Sequence, residues 1–223
     1  MGISRKHNKK QAEAAVWAVR DLFVDHILQD GVKLTAFQYN TRIHGKDKNS
    51  SIPDFELIDA YYDHCIKELY REYVTQILSE LAKDPLEYYR KQALHILTGL
   101  LTSKPEIEDI ILSLLVNKIG DTSKKVEGHA VQMLCKLLKD HPEMAPVVLH
   151  EAYLMCQRPG LKSSQKYYTL AFLNKLALIS GKNEGIRITL FRAYFHMFKT
   201  ILQNPSERKE LVFKKDRTKS KKV

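Results

Sequence analysis

Asp84 opens the stretch DPLEYYRKQALHILTGLLTSKPE (residues 84–106), and Asp121 opens DTSKKVEGHAVQMLCKLLKDHPE (residues 121–143); the two passages lie 37 residues apart and decide the fold. Five further pairs keep that register: Ala93 with Ala130, Leu97 with Leu134, Leu100 with Leu137, Leu101 with Leu138, and Pro105 with Pro142. In each passage apolar residues recur at helical spacing until the proline, whose ring cannot continue a helix. A second apolar run follows each proline, Ile107, Ile110, Ile111 and Leu114 in one and Met144, Val147, Val148 and Ala152 in the other. Each unit is therefore a helical hairpin.

A repeat of this length is close to the ~40 residues of HEAT-type units. The fold expected is all-α, a HEAT-like helical-hairpin solenoid (α-α superhelix). A third unit starts after Arg158, Pro159 and Gly160, which lengthen the loop and break the strict interval. Its first helix is SSQKYYTLAFLNKLALIS, with Ser163 or Ser164 as N-cap, and its second runs from about Glu184 to Gln203. Upstream, Gln11 to Leu28 reads as an amphipathic helix with Gly31 as its cap, and Thr41 to Ser51 reads as an exposed polar loop. A long helix is expected from Pro53 and Asp54 to about Ala82, carrying Tyr61, Tyr62, Tyr70 and Tyr73. This divides the chain into a basic N-terminal arm (residues 1–10), a single repeat domain (11–205) and a basic disordered tail (206–223).

Hydrophobic residues make up 44% of the 223, enough to exclude wholesale disorder. Cys65, Cys135 and Cys156 are odd in number and unclustered, the pattern of free thiols in a reducing compartment, and the last two fall in apolar helical patterns that bury them. Arg5, Lys6, Lys9 and Lys10 precede no apolar core of a secretory signal, and no stretch approaches the ~20 apolar residues of a membrane span. No membrane partner is expected.

The formal net charge of +10 favours encounter with polyanions, chiefly nucleic acid. Lys118, Lys124 and Lys125 cluster around the turn at Gly120 and Asp121, and Lys162, Lys166 and Lys175 mark the next unit. Turns along one edge of a repeat array can line up such lysines beside a phosphate backbone. The tail adds Lys214, Lys215, Arg217, Lys219, Lys221 and Lys222 against the single acid Asp216. It reads either as a solubilising end or as a nuclear and nucleolar targeting segment that also contacts RNA. No zinc finger, RNP motif or basic zipper is present to read a DNA sequence.

Phe191, Tyr194, Phe195 and Phe198 follow i, i+3, i+4, i+7 spacing. Such a stripe usually packs in a core; the alternative is a docking face for another helical protein. Catalytic signatures are weak. Ser163 to Lys166 fits the S-x-x-K string without its companion elements, and His150-Glu151 lacks the second histidine of a zinc-protease helix. His95 and His129 read as packing or surface residues. No enzyme, metal, cofactor or small-molecule substrate is expected.

The strings VNKIGD (116–121), KLLKDHPEM (136–144), SSQKYYTLAFLNKLAL (163–178) and AVRDLFVDHILQDGVKLTAFQ (18–38) resemble the CCAAT-binding-factor domain of nucleolar-complex proteins. The branch containing CCAAT/enhancer-binding-protein zeta is the most similar. The resemblance implies a HEAT-like scaffold of the nucleus and nucleolus that works on precursors of the large ribosomal subunit, bound to pre-ribosomal RNA and to a sister nucleolar-complex protein. An older label, a transcription cofactor at CCAAT-type promoters, and a protein-only adaptor are the competing readings. Members of the family are usually longer, with acidic segments and further helical repeats.

Overall fold

The computed structural model describes residues 9–44, 52–158, 160–179 and 184–203, which carry helices and no strand. The expected tail, and all of the N-terminal arm except Lys9 and Lys10, lie outside the described residues. The chain groups into two compact units, Met1–Ile111 and Leu112–Val223.

In the first unit α1 spans Lys9–Asp21 and continues as a π-helical turn, Leu22–Ile27. Gly31, at φ +69°, lies beyond that helix end, so it shapes the following turn rather than capping the helix. The polar stretch expected as a loop contains a short helix, α2 (Thr41–His44), because Ile43 is buried and anchors it; residues 45–51 are outside the described set. The long helix is present as expected: α3 (Asp54–Glu72) runs through a π-helical turn (Tyr73–Leu78) into α4 (Ser79–Leu81). Its inward face buries Tyr70, Tyr73, Val74 and Leu78. Phe23 meets Tyr70 and Tyr73 with ring centroids 5.1 and 5.7 Å away, and the Tyr73 hydroxyl donates to the Val16 carbonyl at 2.8 Å.

The first repeat helix is α5 (Glu87–Ser103) and the second is α7 (Lys124–Asp140), both 17 residues long and 37 residues apart at either end. The repeated aspartates do the same work in both. Asp84 Oδ1 accepts the Leu86 N–H at 2.8 Å, and Asp121 Oδ1 accepts the Ser123 N–H at 2.9 Å, closing matched Asx turns before each helix. All four matched apolar pairs, from Ala93 and Ala130 to Leu101 and Leu138, are buried. At the far end the Lys104 and His141 amides bond Leu100 and Leu137 carbonyls, and the proline follows.

The α5 corner is also held by buried charge. Lys104 donates to the Leu28 carbonyl at 2.8 Å and pairs with Asp30, while Glu106 pairs with Lys67 at 2.8 Å and accepts the Leu34 N–H at 2.8 Å. These bonds pin the Leu28–Leu34 segment onto the corner. Ile107 follows at φ +44°, a costly conformation for a β-branched residue, and α6 (Glu108–Asn117) begins next.

In the second unit a 3₁₀ turn, Lys118–Gly120, precedes α7, and α8 (Ala145–Gln157) follows the Pro142–Met144 turn. The third repeat helix, α9 (Ser163–Ile179), is again 17 residues, displaced 39 rather than 37 from α7 by the longer loop. Its first residue is Ser163, so the N-cap position falls on Lys162, one residue before the expected cap. Gln165 completes the cap by accepting the Lys162 N–H at 3.0 Å. Thr169, Leu173 and Leu176 fill the buried register of Ala130, Leu134 and Leu137. α10 (Glu184–Gln203) packs against α8 and α9. This is an all-α fold of the HEAT-like helical-hairpin class.

Candidate nucleic-acid and protein interfaces

The turn Lys118–Gly120 packs against both α7 and α9 and so brings their first turns to one edge of the second unit. Gln165 donates from Nε2 to the Gly120 carbonyl, tying the start of α9 to that turn. A Cβ on Gly120 would lie 2.8 Å from the Met155 methyl and 3.2 Å from Gln165 Nε2, so these two side-chain ends close over the glycine and would have to shift to admit a larger residue. Lys124, Lys125 and Lys162 stand exposed at this edge. Along α7 the exposed lysines Lys136 and Lys139 follow Lys125 on one helix face, and Lys175 occupies the register of Lys136 on α9. Sequence reasoning singled out Lys175 and missed Lys136 and Lys139; the 3.6-residue period, applied to the polar side of α7, finds them.

Two expected members of the basic set are placed differently. Lys118 is mostly buried and pairs with the buried Asp121 at 3.3 Å, so its charge neutralises the Asx-turn carboxylate. Lys166 is buried, in the register of Arg90 and Glu127 from the earlier repeats, and its charge lies near Cys156. Neither amine projects with the exposed three. The tail residues Lys214, Lys215, Arg217, Lys219, Lys221 and Lys222 lie outside the described residues.

Two of the edge's acids are already paired, Asp121 with Lys118 and Glu151 with Arg158 at 3.3 Å, while partial burial raises the Glu127 carboxyl against the opposing Lys124 charge. Lys124 and Lys125 occupy the first helical turn, where the macrodipole disfavours cations by about 0.3–1 kcal/mol each. The backbone N–H groups there and the lysines together present positive potential to an anion.

On α10 the aromatic stripe is exposed rather than packed in the core. Ile186 and Ala193 face inward and are buried, whereas Phe191 (67%), Tyr194 (41%), Phe195 (63%) and Phe198 (60%) are exposed. The Tyr194 hydroxyl accepts from Asn174 Nδ2, which fixes that ring's outer edge. Ile188 and Leu202 lengthen the exposed stripe. Among the described residues no group of histidine, cysteine and carboxylate side chains is placed to hold a metal, and no helix is long and apolar enough to cross a membrane.

The second unit is an all-α hairpin repeat with exposed lysines along one edge and an exposed aromatic stripe on α10. No protein-family model matches the chain. It is 31% identical over 204 residues to human CCAAT/enhancer-binding protein zeta, covering 90% of this chain and 19% of that protein. It is 31% identical over 219 residues to the ribosome biogenesis protein NOC1 of Chaetomium thermophilum (91% and 21%), and 26% identical over 203 residues to nucleolar complex protein 1 of Drosophila melanogaster (89% and 17%). The chain belongs to this CCAAT-binding-factor and nucleolar-complex family, and two of these relatives are named for ribosome biogenesis and for the nucleolar complex. It spans about a fifth of the length of the curated relatives it matches.

Proposed function

We propose that this chain is a non-catalytic nucleolar scaffold for assembly of the large ribosomal subunit. Pre-ribosomal RNA lies along the edge formed by Lys124, Lys125 and Lys162, continued by Lys136, Lys139 and Lys175, with the tail lysines and Arg217 adding contacts. A sister nucleolar-complex protein docks on Phe191, Tyr194, Phe195 and Phe198. The observation that carries the RNA part is the convergence of Lys124, Lys125 and Lys162 around one turn, with Asp121 and Glu151 already paired to other cations. Phosphate contacts of this kind set position and affinity without reading sequence.

The test is RNA binding by the purified chain across a salt series, with a large-subunit precursor fragment as probe. Changing Lys124, Lys125 and Lys162 together to glutamate removes up to three phosphate contacts. The log–log salt slope then falls by about 2 for a single-stranded probe. Because Lys124 and Lys125 oppose the helix dipole, their replacement does not weaken α7, and lost binding is not lost folding. Lys166→Met retains the wild-type slope. An unchanged slope in the triple variant contradicts the proposed edge.

A further inference from the structure

Among the described residues, none covers an apolar stripe exposed along α3. Phe55, Ile58, Tyr62 and Leu69 are exposed, with half-buried Cys65 completing a spacing of 3, 4, 3 and 4 residues. That is the seam of a helix meant to meet another helix. On α10 the exposed residues Ile188, Phe191, Phe195, Phe198 and Leu202 repeat the same 3, 4, 3, 4 spacing over the same length, 15 residues from first to last. The two stripes match in length and period.

Their borders carry opposite charge. α3 contains six acids against two bases, and the exposed Asp54, Asp59 and Glu68 flank its stripe. Of the two bases, Lys67 reaches inward to Glu106, and Arg71 lies 3.8 Å from Glu68 and offsets that one acid in part. α10 contains three bases against one acid, and the exposed Arg187, Arg192 and Lys199 flank its stripe. Flanking charges of this kind choose the partner in helix pairing, since like charges facing each other are disfavoured. An acid-rimmed stripe therefore rejects a second α3, a basic-rimmed stripe rejects a second α10, and each accepts the other.

We propose that α3 of one copy docks on α10 of a second copy, giving a head-to-tail association of this chain. Such an interface is heterologous: every pair leaves one α3 and one α10 open, so it extends into short arrays unless a ring closes. An open α10 at the end of an array remains available to the sister protein. The inference deepens the reading of α10 as a docking face, but it needs no RNA or sister protein, so the two readings fail separately.

The experiment is sedimentation velocity of the nuclease-treated full chain over a micromolar concentration series. The wild type associates with rising concentration. Asp59→Lys with Glu68→Lys makes both faces basic, and Arg192→Glu with Lys199→Glu makes both acidic. Each variant alone loses self-affinity by about tenfold or more, and an equimolar mixture of the two recovers association. These are exposed rim positions, so circular dichroism of each variant should match the wild type. A wild type that stays monomeric overturns the proposal, as does association that survives either reversal or a mixture that does not recover.

Discussion

Lys166 stands in the third repeat where Glu127 and Arg90 stand in the second and first; Arg90 and Lys166 are buried and Glu127 is half-buried. Arg90 shows what such a residue does: Nη1 donates to the Asp84 and Pro85 carbonyls at 2.8 and 3.0 Å, tightening the turn that leads into its helix. The sequence reveals the charge of Lys166 but not its direction, because a lysine stem can lie along apolar surface. Burial at the same spot pushes the Cys156 thiol up to about 11, the Lys166 charge opposing. A folded-state value above the unfolded one of about 8.5 means that folding holds the proton. The contribution is complete below about pH 8.5 and is lost as pH rises through the folded value. Buried Tyr70 and Tyr73, also raised by burial, act in the same direction. Thermal unfolding followed from neutral pH to pH 11 should show a falling midpoint, and Cys156→Ala should make the fall shallower. An equal slope in both proteins would contradict this assignment.

At the scale of elements, the helices whose bounds follow from the sequence are those with two-ended signals. α5 and α7 each have an Asx turn in front and a proline behind, and both ends fall where the repeat puts them. α2 was not legible, since four residues held by one buried isoleucine carry no period. Nor were the π-helical turns, beside which Phe23, Tyr70 and Tyr73 pack together. α10 illustrates a different limit: periodicity identifies an apolar face but not whether a neighbour covers it. Gly128 offers a test of how α7 is held. It lies exposed within the helix, and a Cβ there meets nothing within 4 Å. Gly128→Ala should raise stability by about 0.5–1 kcal/mol through lower unfolded-state entropy. Urea unfolding measures it, and a loss of stability would mean that α7 needs glycine for a contact absent from this structure.

At the scale of the whole molecule, the charge of +10 acquires a pattern only after burial and pairing are taken into account. Lys67, Lys104, Lys118 and Lys166 work inside the fold or at its turns, while Lys124, Lys125, Lys162, Lys136, Lys139 and Lys175 remain outward on the second unit. Family membership was legible in four separated strings, because they combine helix-core residues with the turn between repeats. The lysine edge was legible in part, as the exposed members could be named but not separated from the buried ones. The central claim is that this edge holds precursor RNA, and it is tested most directly by crosslinking the tagged chain to RNA in cells and sequencing what is bound. The account predicts large-subunit precursor RNA at confined positions, with crosslinked peptides containing Lys124, Lys125 or Lys162 and loss of signal in the triple glutamate variant. RNA at background level, or an undiminished crosslink in that variant, would contradict it.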